Sequence, residues 1–537
     1  MKQNTFNYNN KISLIMTAKE LIQKLFLSII FIWIILSPVF GQAVYLDPQF
    51  GNGGVDTIVI IGRDMNEQPW DIALFPDGKI LIGGNSTKDY SSSAWTARLG
   101  KNGGIDESFG TSGISIINTE NFSHDLRLIN VQADGKILRS GFLYDVFMGG
   151  GFAIYRFDSL GTKDPTFGSD GLSFTSICGR DGIEDLALSK SGKIAAAGYS
   201  CEFNAKFTIE LFNPDGSPDL NFNGTGYFTS EFNDAFREFK AVEFQSDNKI
   251  VAAGDCIASD VSMAMKIYVV RIDTAGHLDE GFGTSGEFSY TADWEDYLHD
   301  MAIQKNGKIL LCFGSNKILC LNSNGTIDNT FGNNGIVETK VNDDNIQIQC
   351  IGLQQDGKIV VAGYTDQYFQ NGGNKHILIA RYDENGTLDN TFGNNGVIVT
   401  PIGSFTVYTK SMVIQPDNRI LIAAEMYEYG GDETSRVLLA RFLPDATVSI
   451  ETKQPALSGI IAYPNPADDY IYLEDLNLES ESLTWQLFDI TGKKINSGLI
   501  ISDPCKIYTG DLRTSIYLLQ VTDNQYKLVK NLRIIKK

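Results

Sequence analysis

The sequence predicts an all-β chain, a seven-bladed β-propeller closed through a shared blade and followed by a small C-terminal β-sandwich. Three observations predict it. A phrase with aspartate three residues ahead of phenylalanine occurs seven times between Asp47 and Phe392. A second phrase, a polar turn and a basic residue leading into an apolar run, also occurs seven times. After Phe442 both stop, and a different pattern of short strands begins.

The first phrase pairs Asp47 with Phe50, Asp106 with Phe109, Asp164 with Phe167, Asp219 with Phe222, Asp279 with Phe282, Asp328 with Phe331 and Asp389 with Phe392, at spacings of 49 to 61 residues. Glycine follows the phenylalanine in every copy but the fourth, where Asn223 stands. The second phrase reads "FPDGKILIGG" in its first copy and "QPDNRILIAA" in its last, and a third, such as "TARLGKNG" or "IARYDENG", completes each period. A loop written this often is architecture before it is chemistry. Each period holds four short segments rich in Ile, Val, Leu, Phe and Tyr, bounded by Asp-Gly, Asn-Gly or Gly-Gly pairs that suit tight hairpins. No long helical periodicity interrupts them between Gln42 and Asp445. Four hairpin-connected strands make one twisted sheet that cannot bury both faces alone, and radial packing of several such sheets solves this.

The phase of the repeat sets the closure. With the "PDGK" turn joining an innermost strand A to strand B, the chain starts on an orphan strand D, "LDPQFGNGGVDTIVI", and ends on A, B and C from about Val407 to Phe442. The two ends complete one blade, which removes free edges. The repeated aspartates are expected to cap turns. Phe50, Phe109, Phe167, Phe222, Phe282, Phe331 and Phe392 are expected to pack between blades. Arg98, Arg156, Arg271, Arg381 and Arg441 recur in strand C and could pair with the aspartates, although Leu211 and Cys320 replace the arginine where Asp219 and Asp328 remain.

The L/I-D-x-x-F-G-x-x-G phrase with Q-x-D-G-K-I and A-R-x-x-x-x-G resembles the delta-60 repeat family over about residues 45–445. That resemblance implies a β-propeller, here residues 45–443, and brings no activity with it. Residues 444–457 read as a linker. From 458 to 537, "IAYPNPADDYIYLE", "LTWQLFDITGKKINSG" and the strand-rich end resemble the type A C-terminal sorting domain of type IX secretion, found in Bacteroidetes. The matching residues are Tyr463-Pro464-Asn465-Pro466, Leu487-Phe488-Asp489 before Gly492, Tyr517-Leu518-Leu519 and Lys536-Lys537; Ser515 departs from the glycine usual there. The resemblance implies an Ig-like β-sandwich, the type IX machinery as partner, and passage through the periplasm to the cell surface or medium. Residues 1–41 read as a signal peptide, with Met16 a possible true start. Lys19 and Lys24 precede "LFLSIIFIWIIL", and cleavage falls near Gly41 and Gln42. The apolar core is short of the ~20 residues a span needs, so no stable membrane span is expected after processing.

A formal charge of −21 and the lack of a basic stripe disfavour nucleic acid. No metal or cofactor is expected. His124, His277, His299 and His376 are scattered across blades, and "DENGTLDN" fails the EF-hand spacing. Among seven cysteines, Cys312 and Cys320 could face each other across the hairpin "CFGSNKILC", and Cys178, Cys201 and Cys256 lie near loop ends; buried thiols are the equal alternative.

Length varies mostly in the B-to-C connections, which emerge on the same face as the D-to-A connections. These loops carry aromatic and acidic residues, and the expected binding face comprises Trp70, Tyr144, Phe147, Trp294, Tyr297, Tyr368, Phe369, Tyr427 and Tyr429. Rings supply apolar area and polar neighbours supply orientation, so the favoured reading is a non-enzymatic module for an extracellular glycan or protein. The alternative is a secreted hydrolase or lyase using Asp293, Glu295, Asp296 or Asp300 near the central channel.

Overall fold

Polar turns with a left-handed residue send the chain back on itself every few residues, and the apolar segments between them pair as antiparallel hairpins. The computed structural model describes residues 45–60, 65–88, 91–117, 122–145, 149–201, 205–230, 235–258, 264–341, 345–366, 374–403, 405–445, 461–463, 467–474, 483–489, 493–500, 504–522 and 528–536. The signal segment with Gly41 and Gln42, and Pro464-Asn465-Pro466, lie outside these residues. The chain divides into two units, one spanning Tyr45–Ala446 and the other containing Thr447–Lys537.

The first unit holds seven antiparallel sheets. Their innermost strands are Asn66–Leu74, Phe122–Val131, Gly182–Leu188, Ala235–Phe244, Leu298–Ile303, Asn345–Leu353 and Phe405–Ile414. Each touches the innermost strand of the next sheet, and the seventh touches the first, so the sheets close radially into a ring. The second strand of each sheet is covered on both faces; Ile80 to Asn85 and Ile250 to Cys256 are buried throughout. Apolar clusters form between sheets as well as within them: Phe207 of the third sheet packs on Phe239 of the fourth with ring centroids 4.7 Å apart. At the seam, Val55–Ile58 pairs with Arg436–Phe442, so the N-terminal strand completes the seventh sheet.

The Asp-x-x-Phe-Gly phrase is the joint between sheets. The phenylalanine N–H donates to the aspartate carbonyl, as in Phe109 to Asp106 at 3.1 Å, and the aspartate Oδ1 accepts the N–H two residues on, as from Thr166 to Asp164 at 3.0 Å. Oδ2 takes the basic residue of the second phrase in all seven copies: Lys79, Lys136, Lys193, Lys249, Lys308, Lys358 and, at Asp47, Arg419. Where strand C offers an arginine, its Nε adds a bond of 2.7–2.9 Å. Its guanidinium then covers the buried phenylalanine at 4.4–5.0 Å. Nη1 crosses to a carbonyl of the following sheet, as from Arg156 to Pro214 at 2.5 Å.

Every phenylalanine of the phrase is fully buried, and each lies in an apolar cluster drawn from two adjoining sheets. Phe50 joins the seventh sheet to the first, Phe109 the first to the second, and Phe167 the second to the third. Phe222 sits between the third and fourth, Phe282 between the fourth and fifth, Phe331 between the fifth and sixth, and Phe392 between the sixth and seventh. Phe222 and Phe331, whose strand C carries Leu211 and Cys320 in place of arginine, are buried as completely as the others, so apolar packing rather than the cation holds the ring inside. The ring leaves no space beyond it. A Cβ on Gly161 or Gly216, both at φ +84°, would lie 2.7 Å from Phe109 or Phe167 of the preceding sheet.

Electrostatics follow the geometry. The Lys79, Lys193 and Lys249 ammonium groups hold Asp106, Asp219 and Asp279 below the usual carboxylate range.

The second unit contains a three-stranded sheet (Ile461–Tyr463, Tyr470–Glu474, Cys505–Tyr508) and a four-stranded sheet (Lys494–Ile500, Leu483–Phe488, Ser515–Thr522, Leu528–Lys536). Ile471, Leu473 and Ile507 from one share a core with Trp485, Leu487, Leu519 and Ile534 from the other, which makes a β-sandwich.

Of the two cysteine readings, the buried thiol holds for five residues and the Cys312–Cys320 bond is not formed. Cys312 and Cys320 do not face each other: in that hairpin Cys312 pairs with Ile318 and Leu310 with Cys320, a two-residue offset that separates the side chains. Instead Cys178 bonds to Cys201, and the other five remain buried thiols. The pair sits where a D-to-A connection meets the end of the next strand B, and Asp181 accepts from the N–H groups of Ile177, Cys178 and Cys201 around it.

Three outcomes are expected. Asp47→Asn strands Arg441, which is 1% exposed, and should cost about 3–5 kcal/mol in chemical denaturation followed by intrinsic fluorescence. Asp328→Asn, whose cationic partner is the lysine Lys308, should cost at most about 2 kcal/mol. Alkylation of the unfolded, unreduced protein should label five cysteines by mass spectrometry, leaving Cys178 and Cys201 protected until reduction.

Candidate binding face

Among the described residues, D-to-A and B-to-C connections meet between the fourth, fifth and sixth sheets. The turn Asp293–Tyr297 joins the fourth to the fifth. It is tight because Glu295 takes φ +74°, Asp296 N–H donates to Asp293 O at 3.2 Å, and Tyr297 N–H donates to Glu295 O at 2.9 Å. Lys317 braces it from the neighbouring hairpin, with Nζ 2.6 Å from Asp296 and 3.2 Å from Asp293. The turn carries Trp294, 53% exposed, and Tyr297, 42% exposed. Exposed rings on a hydrogen-bonded turn lose little entropy on meeting a ligand.

The hairpin turn Gly314–Lys317 links this aromatic turn to a cleft. Gly314 N–H donates to Tyr297 O at 2.8 Å on one side, while on the other Thr339 N–H donates to Asn316 O and Ile348 N–H to Ser315 O. The cleft is about 380 Å³ and lies between the fifth and sixth sheets, lined by Ser315, Asn316, Thr339, Gln347, Tyr364 and Lys375 among others. That volume falls in the range of small-ligand clefts. The Gln347 amide is 3.1 Å from His299 Nε2, which also meets Gly314 O at 3.0 Å; burial lowers the His299 pKa, so the ring stays neutral and structural.

Beyond the cleft a row of tyrosines continues. Tyr364 meets Tyr408 edge-on at 5.1 Å, and Tyr408 stacks on Tyr427 at 5.7 Å with their hydroxyls 3.0 Å apart. Lys375 Nζ lies over both Tyr364 and Tyr408, at 4.8 and 4.6 Å. Trp70, in the first sheet, is covered by Arg127 at 4.9 Å and Lys410 at 5.2 Å.

Of the sequence-expected residues, Trp294 and Tyr297 stand open on the face, while Trp70 and Tyr427 are half-buried and packed. Tyr144 ends the strand Ile137–Asp145, but its side chain lies outside the described residues, as do Phe147, Tyr368, Phe369 and Tyr429. Sequence reasoning missed Tyr408, Lys410, Lys375 and Gln347. Tyr408 and Lys410 alternate in "FTVYTKS" on an innermost strand, outside the connections whose composition marks the face.

Three of the carboxylates of the enzymatic alternative have identified partners. Asp293 and Asp296 share Lys317. Asp300 instead occupies the inner ring, where its oxygens accept Met301 N–H and, from the sixth sheet, Ile351 N–H, each at 2.8 Å. Asp71 and Asp185 do the same toward Ile129 and Val242. Each is the residue just past a bulge in its innermost strand. These three are sheet-to-sheet clamps, and burial raises all three pKa values, that of Asp300 to about 7.

The fold defines the chain as a β-propeller followed by a β-sandwich. Residues 76–109, 132–167, 304–331, 354–392 and 415–448 match the model described as a domain of unknown function (DUF5122) beta-propeller. Residues 461–536 match the secretion system C-terminal sorting domain. The chain therefore carries delta-60-like propeller repeats and a type IX sorting domain, and is exported through type IX secretion to the outer cell surface or the extracellular space. No helix among the described residues is long and apolar enough to cross a membrane. None of the curated proteins matches. Solved structures similar to it include Chaetomium thermophilum Sqt1 bound to the N-terminus of ribosomal protein L10 (10% identity, TM-score 0.40, 72% of this chain and 99% of that one). Another is the polysaccharide lyase Uly1 (10%, 0.42, 76% and 98%). A third is PorZ, a surface component of the type IX secretion system of Porphyromonas gingivalis (10%, 0.21, 91% and 87%).

Stability should peak in mild acid. Burial lifts Asp255 to about 6, Asp300 to about 7 and Glu210 to about 8, so their contribution is full below their ordinary values of 3.8 to 4.5 and is lost as pH rises through 6 to 8. Asp106, Asp219 and Asp279 are shifted down, so their contribution is present above 3.8 and lost below it. The thermal midpoint should be higher at about pH 5 than at pH 8 or 3, and Glu210→Gln should flatten the alkaline limb.

Proposed function

We propose that this protein is a non-enzymatic extracellular binding module that takes a glycan or a protein on the face built by the D-to-A and B-to-C connections. One observation carries the reading: a turn fixed by its own hydrogen bonds and by Lys317 holds Trp294 and Tyr297 in solvent beside a formed cleft. Large rings exposed on a rigid support offer apolar area that a partner can bury, and a cleft of polar side chains next to them gives orientation. Support for binding over hydrolysis comes from the carboxylates. Asp300 has its oxygens engaged by backbone N–H groups of two sheets, and Asp293 and Asp296 both bind Lys317. A glycosidase needs two carboxyl groups free to face one bond.

The test is retention of the mature protein on immobilised polysaccharides and glycoproteins, with the supernatant assayed for released sugar. Retention without release is expected, and Trp294→Ala with Tyr297→Ala should weaken it about ten-fold or more, in line with loss of two anchoring rings. Sugar release that survives those substitutions and stops with Asp300→Asn would overturn the reading.

A further inference from the structure

Lysines at the aromatic turn and the cleft are held by groups of the protein itself. Lys317 contacts both Asp293 and Asp296, at 3.2 and 2.6 Å. Lys340, at the mouth of the cleft, lies 3.4 Å from Glu338, and Lys375 lies over the rings of Tyr364 and Tyr408. Beyond these, Glu295 stands exposed beside Trp294. In sequence, residues 231–234, 259–263 and 342–344 of the neighbouring connections, "EFND", "SDVSM" and "NDD", add five acids and no lysine or arginine. A polymer bearing acid groups therefore approaches like charge, and the chain's −21 extends that repulsion. A cationic polymer has to displace Lys317 or Lys340 from carboxylates that already hold them, and its contact with the hydrated Glu295 is worth little.

The chemistry left for a ligand is uncharged. On one side of the Gly314–Lys317 hairpin, Trp294 and Tyr297 present exposed rings on a braced turn. On the other, the cleft is lined by Ser315, Asn316, Asn345 and Gln347, whose hydroxyl and amide groups both give and accept hydrogen bonds. Sugar hydroxyls do the same, and the C–H face of a sugar ring is an apolar complement to an indole. A protein partner wants a contiguous apolar centre with a polar rim. Here a ring platform and a polar cleft of about 380 Å³ stand side by side, as apolar faces and hydroxyl edges alternate along a polysaccharide.

We infer that this face takes an uncharged polysaccharide, with one sugar ring stacked on Trp294 and the hydroxyls of another sugar of the same chain meeting the amides of the cleft. The inference rests on the reading of this face as a binding surface and names its ligand class. The carboxylates around Trp294 then act as a filter, since they leave a neutral polymer free to approach and turn away one that carries acid groups. Binding through ring faces and neutral hydrogen bonds is also insensitive to salt, whereas contact through charges is screened by it.

The experiment is affinity electrophoresis of the full mature chain through gels containing laminarin, galactomannan, xyloglucan, polygalacturonate, chondroitin sulfate or glycol chitosan. Retardation by at least one of the three neutral polymers is expected, unchanged as salt is raised, with none by the acidic pair or by chitosan. Trp294→Ala should lower it about ten-fold or more and Asn345→Ala several-fold, with thermal midpoints showing that each variant is folded. Retardation by an acidic polymer or by chitosan that matches or exceeds the neutral ones, falls with salt and is lost with Trp294→Ala overturns the uncharged class and leaves the binding face standing. Retardation that neither substitution changes places the polymer elsewhere on the chain and overturns both. No retardation by any polymer, together with saturable binding to a surface protein that Trp294→Ala abolishes, overturns the glycan and keeps the face. No retardation and no protein bound in that way overturns both.

Discussion

Everything in the propeller hangs on how one aspartate per sheet is satisfied. Its Oδ1 closes the turn that starts strand D, and its Oδ2 gathers the basic residue from the start of strand B. In five copies it also holds the strand C arginine that lies over the buried phenylalanine and reaches the next sheet. One side chain thus fixes a turn, two strands of its own sheet and the adjoining sheet. The arrangement tolerates loss of the arginine because the lysine remains: Asp219 keeps Lys193 at 2.5 Å where Leu211 replaces it, and Asp328 keeps Lys308 at 2.6 Å beside Cys320. Buried carboxylates need partners more than they need a particular partner.

This division explains what could be read in the sequence. Asp47, Phe50 and their repeats were legible because each performs its task within a few residues, and local tasks leave local spacing. The arginine pairing was legible for the same reason, eight residues from its aspartate. The lysine was visible as part of a repeated turn but its partner was not, since some twenty to thirty residues separate them and only folding brings strand B against the turn before strand D. The clamps at Asp71, Asp185 and Asp300 recur only in alternate sheets, in "DIAL", "DLAL" and "DMAI". Their counterparts beyond the bulge in the other sheets are Leu128, Ala241, Cys350 and Ser411, so the aspartate is absent from most periods and its partner in the next sheet shows only once the inner ring is assembled. The cysteine pairing failed on register: a hairpin written "CFGSNKILC" invites a cross-strand bond, and a two-residue offset denies it.

The face shows the same limit from the other side. Loop composition pointed to Trp294 and Tyr297, which are exposed, and equally to Trp70 and Tyr427, which fold back onto neighbouring side chains. It passed over Tyr408 and Lys410, which belong to a strand whose upper residues rise to the same face. A strand residue can be a surface residue when its strand ends at a rim, and in a radial fold every strand does.

The clamps bear on why the ring closes where it does. Asp71 joins the first sheet to the second, Asp185 the third to the fourth, and Asp300 the fifth to the sixth. Seven is odd, so pairing by clamps leaves the seventh sheet over, and that sheet is the one assembled from both ends of the unit. It is attached by a different bond: Ser411 Oγ donates to Asp71 Oδ1 at 2.7 Å, making Asp71 the one clamp of the three that reaches three sheets. At the outer edge of the same sheet, Asp47 receives both Arg441 and Arg419. The seam is therefore tied at its inner and outer edges, by Asp71 and Asp47. Since a ring of sheets opens at its weakest interface, the extra bonds belong where the chain itself does not continue.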